Sequence, residues 1–287
     1  MTKKEVTKKE NTDVVEADFL DELTQDADTY QETLSQDDMA MPFLVLLQAL
    51  SPMCTEGDPA YVEGSRPGMG LDTTDGTMFD IKKTPLIMVA VAYKSSFIEW
   101  VPRSTGQGGF VKEHATAAGL TGVTVRNDDN EDIIQANSPV GQPGNQLTFT
   151  HTHFVLVQDP ETGAFNPYLL TMAISQLKHS KKFNRMVNNL KVPGTTKPAP
   201  RFFGVWALSS QLETKGENKW QSWAFKKHSD LSQMENGKEV YKVAKKFSDS
   251  LNLDEIIIDH SKASVAEDNP TVGDDVPVSD TDEEIPF

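Results

Sequence analysis

The stretch "QLTFTHTHFVLVQD", residues 146–159, carries an apolar or aromatic side chain at every second position from Leu147 to Val157. Side chains of an extended chain repeat every two residues, so Leu147, Phe149, His151, His153, Val155 and Val157 fall on one face of a strand. "DPETGAFNP" (159–167) then supplies turn residues, and "YLLTMAIS" (168–175) reads as the returning strand. Upstream, "PLIMVAVAYKSSFIEWVPR" (85–103) is one long strand or two. Downstream, "RFFGVWALSS" (201–210), "ETKGENK" (213–219) and "WQSWAFKK" (220–227) read as a hairpin with a polar, Gly-containing loop.

One helix stands out between these strands. In "SQLKHSKKFNRMVNNLK" (175–191), Phe183, Met186, Val187 and Leu190 repeat at the spacing of a helix face, and so do Lys178, Lys181, Lys182 and Arg185. At about 100° per residue the basic stripe lies roughly 140° from the apolar one. One face packs and the other presents four cations. A mainly β, α+β chain of this kind predicts an OB-fold-like antiparallel barrel. Some 220 residues exceed one such barrel, so "RSTGQGGFVKEH" (103–114) and "RNDDNEDIIQANSPVGQPGNQ" (126–146) are expected to be insertions.

Charge divides the chain further. The 287 residues carry a net −16, but residues 1–79 hold 5 Lys+Arg against 17 Asp+Glu, residues 80–247 hold 21 against 14, and residues 248–287 hold 1 against 12. A basic middle therefore lies between acidic ends. Residues 1–40 read as an acidic flexible arm, 41–260 as the folded core, and 261–287 as a disordered acidic tail. The longest apolar run, "FLVLLQAL" (43–50), is far short of the roughly 20 residues that cross a bilayer, and the N-terminus has no signal-peptide pattern. The single cysteine, Cys54, excludes an internal disulfide and fits a reducing cytoplasm.

No catalytic constellation rises above background, and no cofactor or metal is expected. His151 and His153 could ligate a metal as a pair, but the apolar residues on their face favour packed histidines. Asp159 and Glu161 could pair as catalytic carboxylates, yet "DPETG" is ordinary hairpin-turn chemistry. The glycines of "STGQGG" (104–109) lack the lysine and helix start of a phosphate loop.

Aromatic residues interleaved with cations do rise above it. They are Tyr93, Lys94, Phe97, Trp100 and Arg103; Arg201, Phe202, Phe203 and Trp206; and Lys219, Trp220, Trp223, Phe225, Lys226 and Lys227. Cations track the phosphates of an unpaired strand while ring faces stack its bases, at about 1–3 kcal/mol per base. Alternating strands also bury half their rings, so roughly half of these are expected in the core. Strand parity sets Lys94 and Trp100 on one face, and Tyr93, Phe97 and Arg103 on the other. With the Lys178–Arg185 stripe, the candidate single-stranded-DNA contacts are Tyr93, Lys94, Phe97, Trp100, Arg103, Lys178, Lys181, Lys182, Arg185, Arg201, Trp206, Trp220, Trp223, Lys226 and Lys227.

The chain ends in "SDTDEEIPF" (279–287). This tip resembles that of bacterial single-stranded-DNA-binding proteins, which close on acidic residues followed by Ile-Pro-Phe. The overall plan is similar to bacteriophage single-stranded-DNA-binding proteins, with an OB-fold core and an acidic tail. The resemblance implies that Asp282, Glu283, Glu284, Ile285, Pro286 and Phe287 dock on replication or recombination proteins such as a polymerase, helicase or nuclease. It also implies that the tail competes with DNA for the basic core. The expected function is a non-catalytic, sequence-tolerant single-stranded-DNA-binding protein of phage replication or recombination, in the host cytoplasm, away from membranes and compatible with a homo-oligomer. Alternatives are a strand-annealing or recombination-mediator protein, a metal-dependent nuclease on His151, His153, Asp159 and Glu161, and an assembly protein.

Overall fold

The computed structural model describes residues 41–102, 108–115, 122–128, 131–253 and 255–265. The N-terminal arm, Arg103 and the tail residues 266–287, with the tip Asp282, Glu283, Glu284, Ile285, Pro286 and Phe287, lie outside the described residues.

Two long strands, β4 (Leu86–Val101) and β8 (Gln146–Gln158), run antiparallel through the centre of the main sheet. Each shares its outer edge between two partners. The first half of β4 pairs with β10 (Gly204–Lys215), which pairs in turn with β11 (Asn218–Asp230), and its second half pairs with β5 (Gly109–Ala115). On the other side, β8 pairs with β9 (Phe165–Ala173) and, at Gln146, with the β6–β7 hairpin (Thr124–Arg126, Asp132–Ile134). Every pairing in the sheet is antiparallel, and the sheet curls into a half-barrel, so the fold is mostly β and OB-like within the α+β class.

The turns follow from local chemistry. Gly216 takes a positive φ of 60° in a two-residue turn between Lys215 and Asn218, so most of "ETKGENK" is strand rather than loop. The segments 103–114 and 126–146, expected as insertions, carry the short strands β5 and β7.

A β-bulge decides which side chains face inward. Ala90 pairs with Val155 and Ala92 with Phe154, leaving Val91 as the extra residue. The alternation therefore slips by one. Met88 and Ala90 share the inner face with Tyr93 and Phe97, not with Lys94 and Ser96.

The first half of that inner face is filled. Leu86, Met88, Ala90, Val155, Val157, Leu170, Met172, Trp206, Leu208 and Trp223 form one buried cluster with Phe183 and Val187 of helix α1 (Leu177–Asn188). Helix α1 forms because Ser180, Phe183 and Val187 recur on one side and bury there. A small sheet of β1 (Leu44–Leu46), β2 (Gly70–Asp72) and β3 (Met78–Phe79) adds Leu44 and Leu46 to the same core. It is tied to β9 by the buried hydrogen bond from Tyr168 Oη to Asp72 Oδ2 (2.9 Å), and burial beside that carboxylate pushes the phenol pKa up.

The outer face is covered as well. A second helix, α2 (Gly237–Ser250), buries Val240, Ala244 and Phe247 and packs on β4. Residues 255–263 then strap across β5. Lys94 Nζ donates to the carbonyl of Ile256 (2.6 Å) and pairs with Glu113 (3.1 Å), while Glu113 accepts from the amide of Ile258 (2.9 Å). His260 is buried between Phe43 (5.5 Å) and Phe110 (5.7 Å), and Ala263 is buried too, so folded structure runs past the expected boundary at residue 260.

The free edge of β11 is closed by side chains rather than by a strand. Gln48 accepts from the amide of Gln221 (2.8 Å) and donates to its carbonyl (3.1 Å). Gln176 donates to the same carbonyl (3.0 Å) and accepts from the amide of Trp223 (3.2 Å). Two amides thus replace the ladder of a missing neighbour. Gln176 lies two residues after Ile174, whose φ of 48° is the one left-handed non-glycine conformation among the described residues. A β-branched residue pays for that conformation in strain.

Candidate functional site

Beyond the bulge, the inner face changes from aliphatic to aromatic. Tyr93 pairs with His153, Ser95 with His151 and Phe97 with Phe149. Ring contacts run continuously from Phe97 to Phe149 (5.0 Å), to His151 (5.1 Å), to Tyr93 (5.1 Å), to His153 (5.1 Å) and on to Phe183 of α1 (5.4 Å). Tyr93, Phe97 and Phe149 are half-buried, whereas His151 and His153 are buried. The strands thus present partly exposed rings on a floor of buried histidines.

A directed hydrogen-bond chain fixes that floor. Arg201 has donors only, so its Nη2 donates to Nδ1 of His153 (3.1 Å) and to Oδ1 of Asn184 (2.7 Å). His153 must then carry its proton on Nε2, which donates to Oγ of Ser180 (2.7 Å). The hydroxyl, having accepted one proton, donates its own to Nδ1 of His151 (2.8 Å). Complete burial, with Arg201 and His151 nearby, holds His153 well below the ordinary histidine range. Burial, with Lys181 beside it, lowers His151 in the same direction. Burial also pushes Tyr93 up, against hydrogen bonds from Ser95 and Asn184 and the charge of Arg201. It lowers Arg201 to about 10, which leaves the guanidinium charged at neutral pH, 5.6 Å from the Tyr93 ring.

The sequence-predicted residues divide sharply. Tyr93 and Phe97 lie in the ring row. Lys181, Lys182 and Arg185 project from the exposed side of α1, and Lys226 from the outer face of β11; none of them makes an ion pair among the described residues. Lys178 is also exposed but is held by Glu213 (2.7 Å), above the Trp220 ring. Lys227 pairs with Asp230 and sits 5.4 Å over Trp206.

Several expected contacts need correction. Trp206, Trp220 and Trp223 are 1%, 6% and 2% exposed, so their faces are core surface and cannot take a base. For Trp206 and Trp223 the cause is α1 and the small sheet, which cover the inner face that parity alone leaves open; Trp220 lies outside that cluster, with Lys178 over its ring. Lys94 is consumed by Glu113 and the strap, and Arg201 by His153 and Asn184, so neither is free for phosphate. Trp100 is half-buried, but it packs edge-on against Phe110 on the face opposite the ring row. Sequence reasoning placed Phe149 on the right strand face without marking it as a ring for stacking. It missed Ser180 and Asn184, whose signal is only their position one turn apart on the buried side of α1.

The remaining motifs are structural. Oδ1 of Asp159 accepts from the amides of Glu161 (2.8 Å) and Thr162 (2.7 Å), which is turn chemistry, and these bonds lower its pKa. Six strand residues, about 20 Å, separate it from His153. Among the described residues no group of three or more His, Cys, Asp or Glu is placed to hold a metal ion. Glu99, buried, accepts from Asn145 (2.6 Å) and from the amide of Gln142 (2.8 Å) and pairs with His114 (2.7 Å), which pins the loop before β8. No helix among the described residues is long and apolar enough to cross a membrane.

A family model described as Pam3 phage gp34-like protein matches residues 7–256, most of the chain. The chain belongs to the Pam3 phage gp34-like family. It is therefore a phage protein, and the matched span holds the whole curled sheet, both helices and the ring row. The strap from Ile257 onward and the acidic tip lie beyond it. No curated protein and no solved structure matches the chain.

Proposed function

We propose that this member of the phage family holds single-stranded DNA, without catalysing a reaction on it, during replication or recombination. The observation that carries the reading is the row of half-exposed rings, Tyr93, Phe97 and Phe149, on the inner face of an OB-like sheet, with Lys181 beside it. Unpaired bases offer the stacking faces that such rings take, whatever the sequence, and Lys181, Lys182 and Arg185 supply charge for the phosphates. The tip Asp282, Glu283, Glu284, Ile285, Pro286 and Phe287 serves in this reading as a ligand for replication or recombination proteins. Its acidity also lets it compete with DNA for the cations.

The test is binding of labelled oligo(dT) across a salt series. Phe149→Ala is expected to cost about 1–3 kcal/mol, the worth of one stacked base. Replacing Lys181, Lys182 and Arg185 together by alanine should flatten the slope of log affinity against log salt by about 2, at roughly 0.7 per phosphate. Removing residues 280–287 should tighten binding. Wild-type protein that ignores oligo(dT) in dilute buffer, with or without those residues, ends the proposal.

A further inference from the structure

The hydrogen-bond chain under the ring row has an open end. Because Ser180 donates to Nδ1 of His151, the His151 proton resides on Nε2. That atom has no hydrogen-bond partner among the described residues, and it is absent from the polar atoms sealed from solvent. The His151 ring stands nearly perpendicular to both its neighbours, at 87° to Tyr93 and 79° to Phe149. The ring is 4% exposed, so Nε2–H is an unpaired donor on a buried side chain whose tautomer is set by Arg201, His153 and Ser180.

We infer that Nε2–H of His151 donates a hydrogen bond to a carbonyl oxygen of a nucleobase, so that thymine, cytosine and guanine, whose exocyclic oxygens project from the ring edge, are held better than adenine, which offers only ring nitrogens as acceptors. The inference rests on the single-stranded-DNA reading and refines it: stacking tolerates every base, and one donor adds a bias. A base laid parallel to Tyr93 or Phe149 is perpendicular to the imidazole, so what it exchanges with His151 is an edge hydrogen bond and not a second stacking contact. The acceptor is placed on a base rather than on a phosphate because His151 sits between Tyr93 and Phe149, the rings that would stack the bases, whereas Lys181 is the exposed cation. Burial and the neighbouring Lys181 both disfavour protonation of the imidazole. Arg201 and His153 complete the set of titratable groups on this chain, and His153 is held neutral as well.

One net hydrogen bond is worth about 0.5–1.5 kcal/mol, or roughly a 2- to 12-fold change in affinity. The experiment measures full-length protein against oligo(dT) and oligo(dA) of equal length and reads the ratio of the two affinities. Bare adenine strands stack on themselves, so only the change of that ratio between variants counts. His151→Phe keeps a ring between Tyr93 and Phe149 but removes the donor, and should lower the dT:dA ratio by about 3- to 10-fold. His151→Gln, whose amide can accept from Ser180 and still donate outward, should restore most of it. Ser180→Ala frees the tautomer and should lower the ratio less than His151→Phe does. Lys181→Ala should weaken both strands alike and leave the ratio unchanged. A His151→Phe protein that binds both strands with the wild-type ratio, or loses both equally, overturns the inference while leaving the binding function standing. Absence of binding to either strand by the wild type overturns both.

Discussion

Lowering the pH from 7.5 to 4.5 should loosen the strap at His260. The imidazole is 1% exposed, lies between Phe43 and Phe110, and its Nε2 has no hydrogen-bond partner among the described residues. Burial brings its pKa from the ordinary 6.5 down to about 4, with Lys94 acting in the same direction and Glu113 and Asp259 against it. The folded form is therefore neutral where the unfolded chain is already protonated. Stability from this group is complete above pH 6.5, falls as the pH drops below that value, and stops falling below about 4. At 1.36 kcal/mol per pH unit the loss is about 1 kcal/mol at pH 5.5 and about 2–3 kcal/mol at pH 4.5. His260→Phe removes the titration and sets an apolar ring between two others. Urea unfolding of both proteins at pH 7.5, 6.5, 5.5 and 4.5 isolates the histidine, because the carboxylates are common to the two. The stability difference should swing toward the variant by about 2–3 kcal/mol between the extremes. Parallel curves for the two proteins would refute the reasoning, and so would a His260 proton titration near 6.5 by NMR.

Ile174→Gly or Ile174→Asn should raise stability by about 1 kcal/mol in urea unfolding, since either residue adopts a φ of 48° with less strain than isoleucine; a loss of stability would mean that the conformation is not strained. Replacing Gln48 and Gln176 together by alanine should cost at least about 2 kcal/mol and promote aggregation, read by the urea midpoint and light scattering, because the amides of Gln221 and Trp223 and the carbonyl of Gln221 lose their partners. Tryptophan emission should change little when oligo(dT) binds, because Trp206, Trp220 and Trp223 are buried and Trp100 is on the opposite face; strong quenching would place the strand elsewhere.

Much of the fold is legible in the chain because strands were read from alternation, and alternation is what β4, β8, β9, β10 and β11 possess. Helix α1 is legible for the same reason at a different period. Helix α2 was missed because its buried positions, Val240, Ala244 and Phe247, are few and lie among lysines, and no side chain caps its start. The site is less legible. Alternation sorts residues onto two faces but does not say where each face is covered, and in this molecule both are covered over part of their length. Helix α1 takes Trp206 and Trp223 into the core, and the strap takes Lys94. The histidines were legible as packed side chains, but their link through Ser180 depends on a helix crossing a strand, which no local pattern records. Arg201 illustrates the same limit, since its partners come from β8 and α1.

The bulge at Val91 is an insertion of one residue, and its effect is a phase change. Upstream of it β4 keeps dry the same face on which, downstream, it carries the half-buried rings Tyr93 and Phe97. Without that extra residue the two requirements would sit on opposite sides: Lys94 and Ser96 would join the interior and Tyr93 and Phe97 would turn toward α2 and the strap. A single codon therefore keeps the aliphatic and aromatic halves of one ribbon in step, so that the part that folds and the part that would bind are continuous along the same surface.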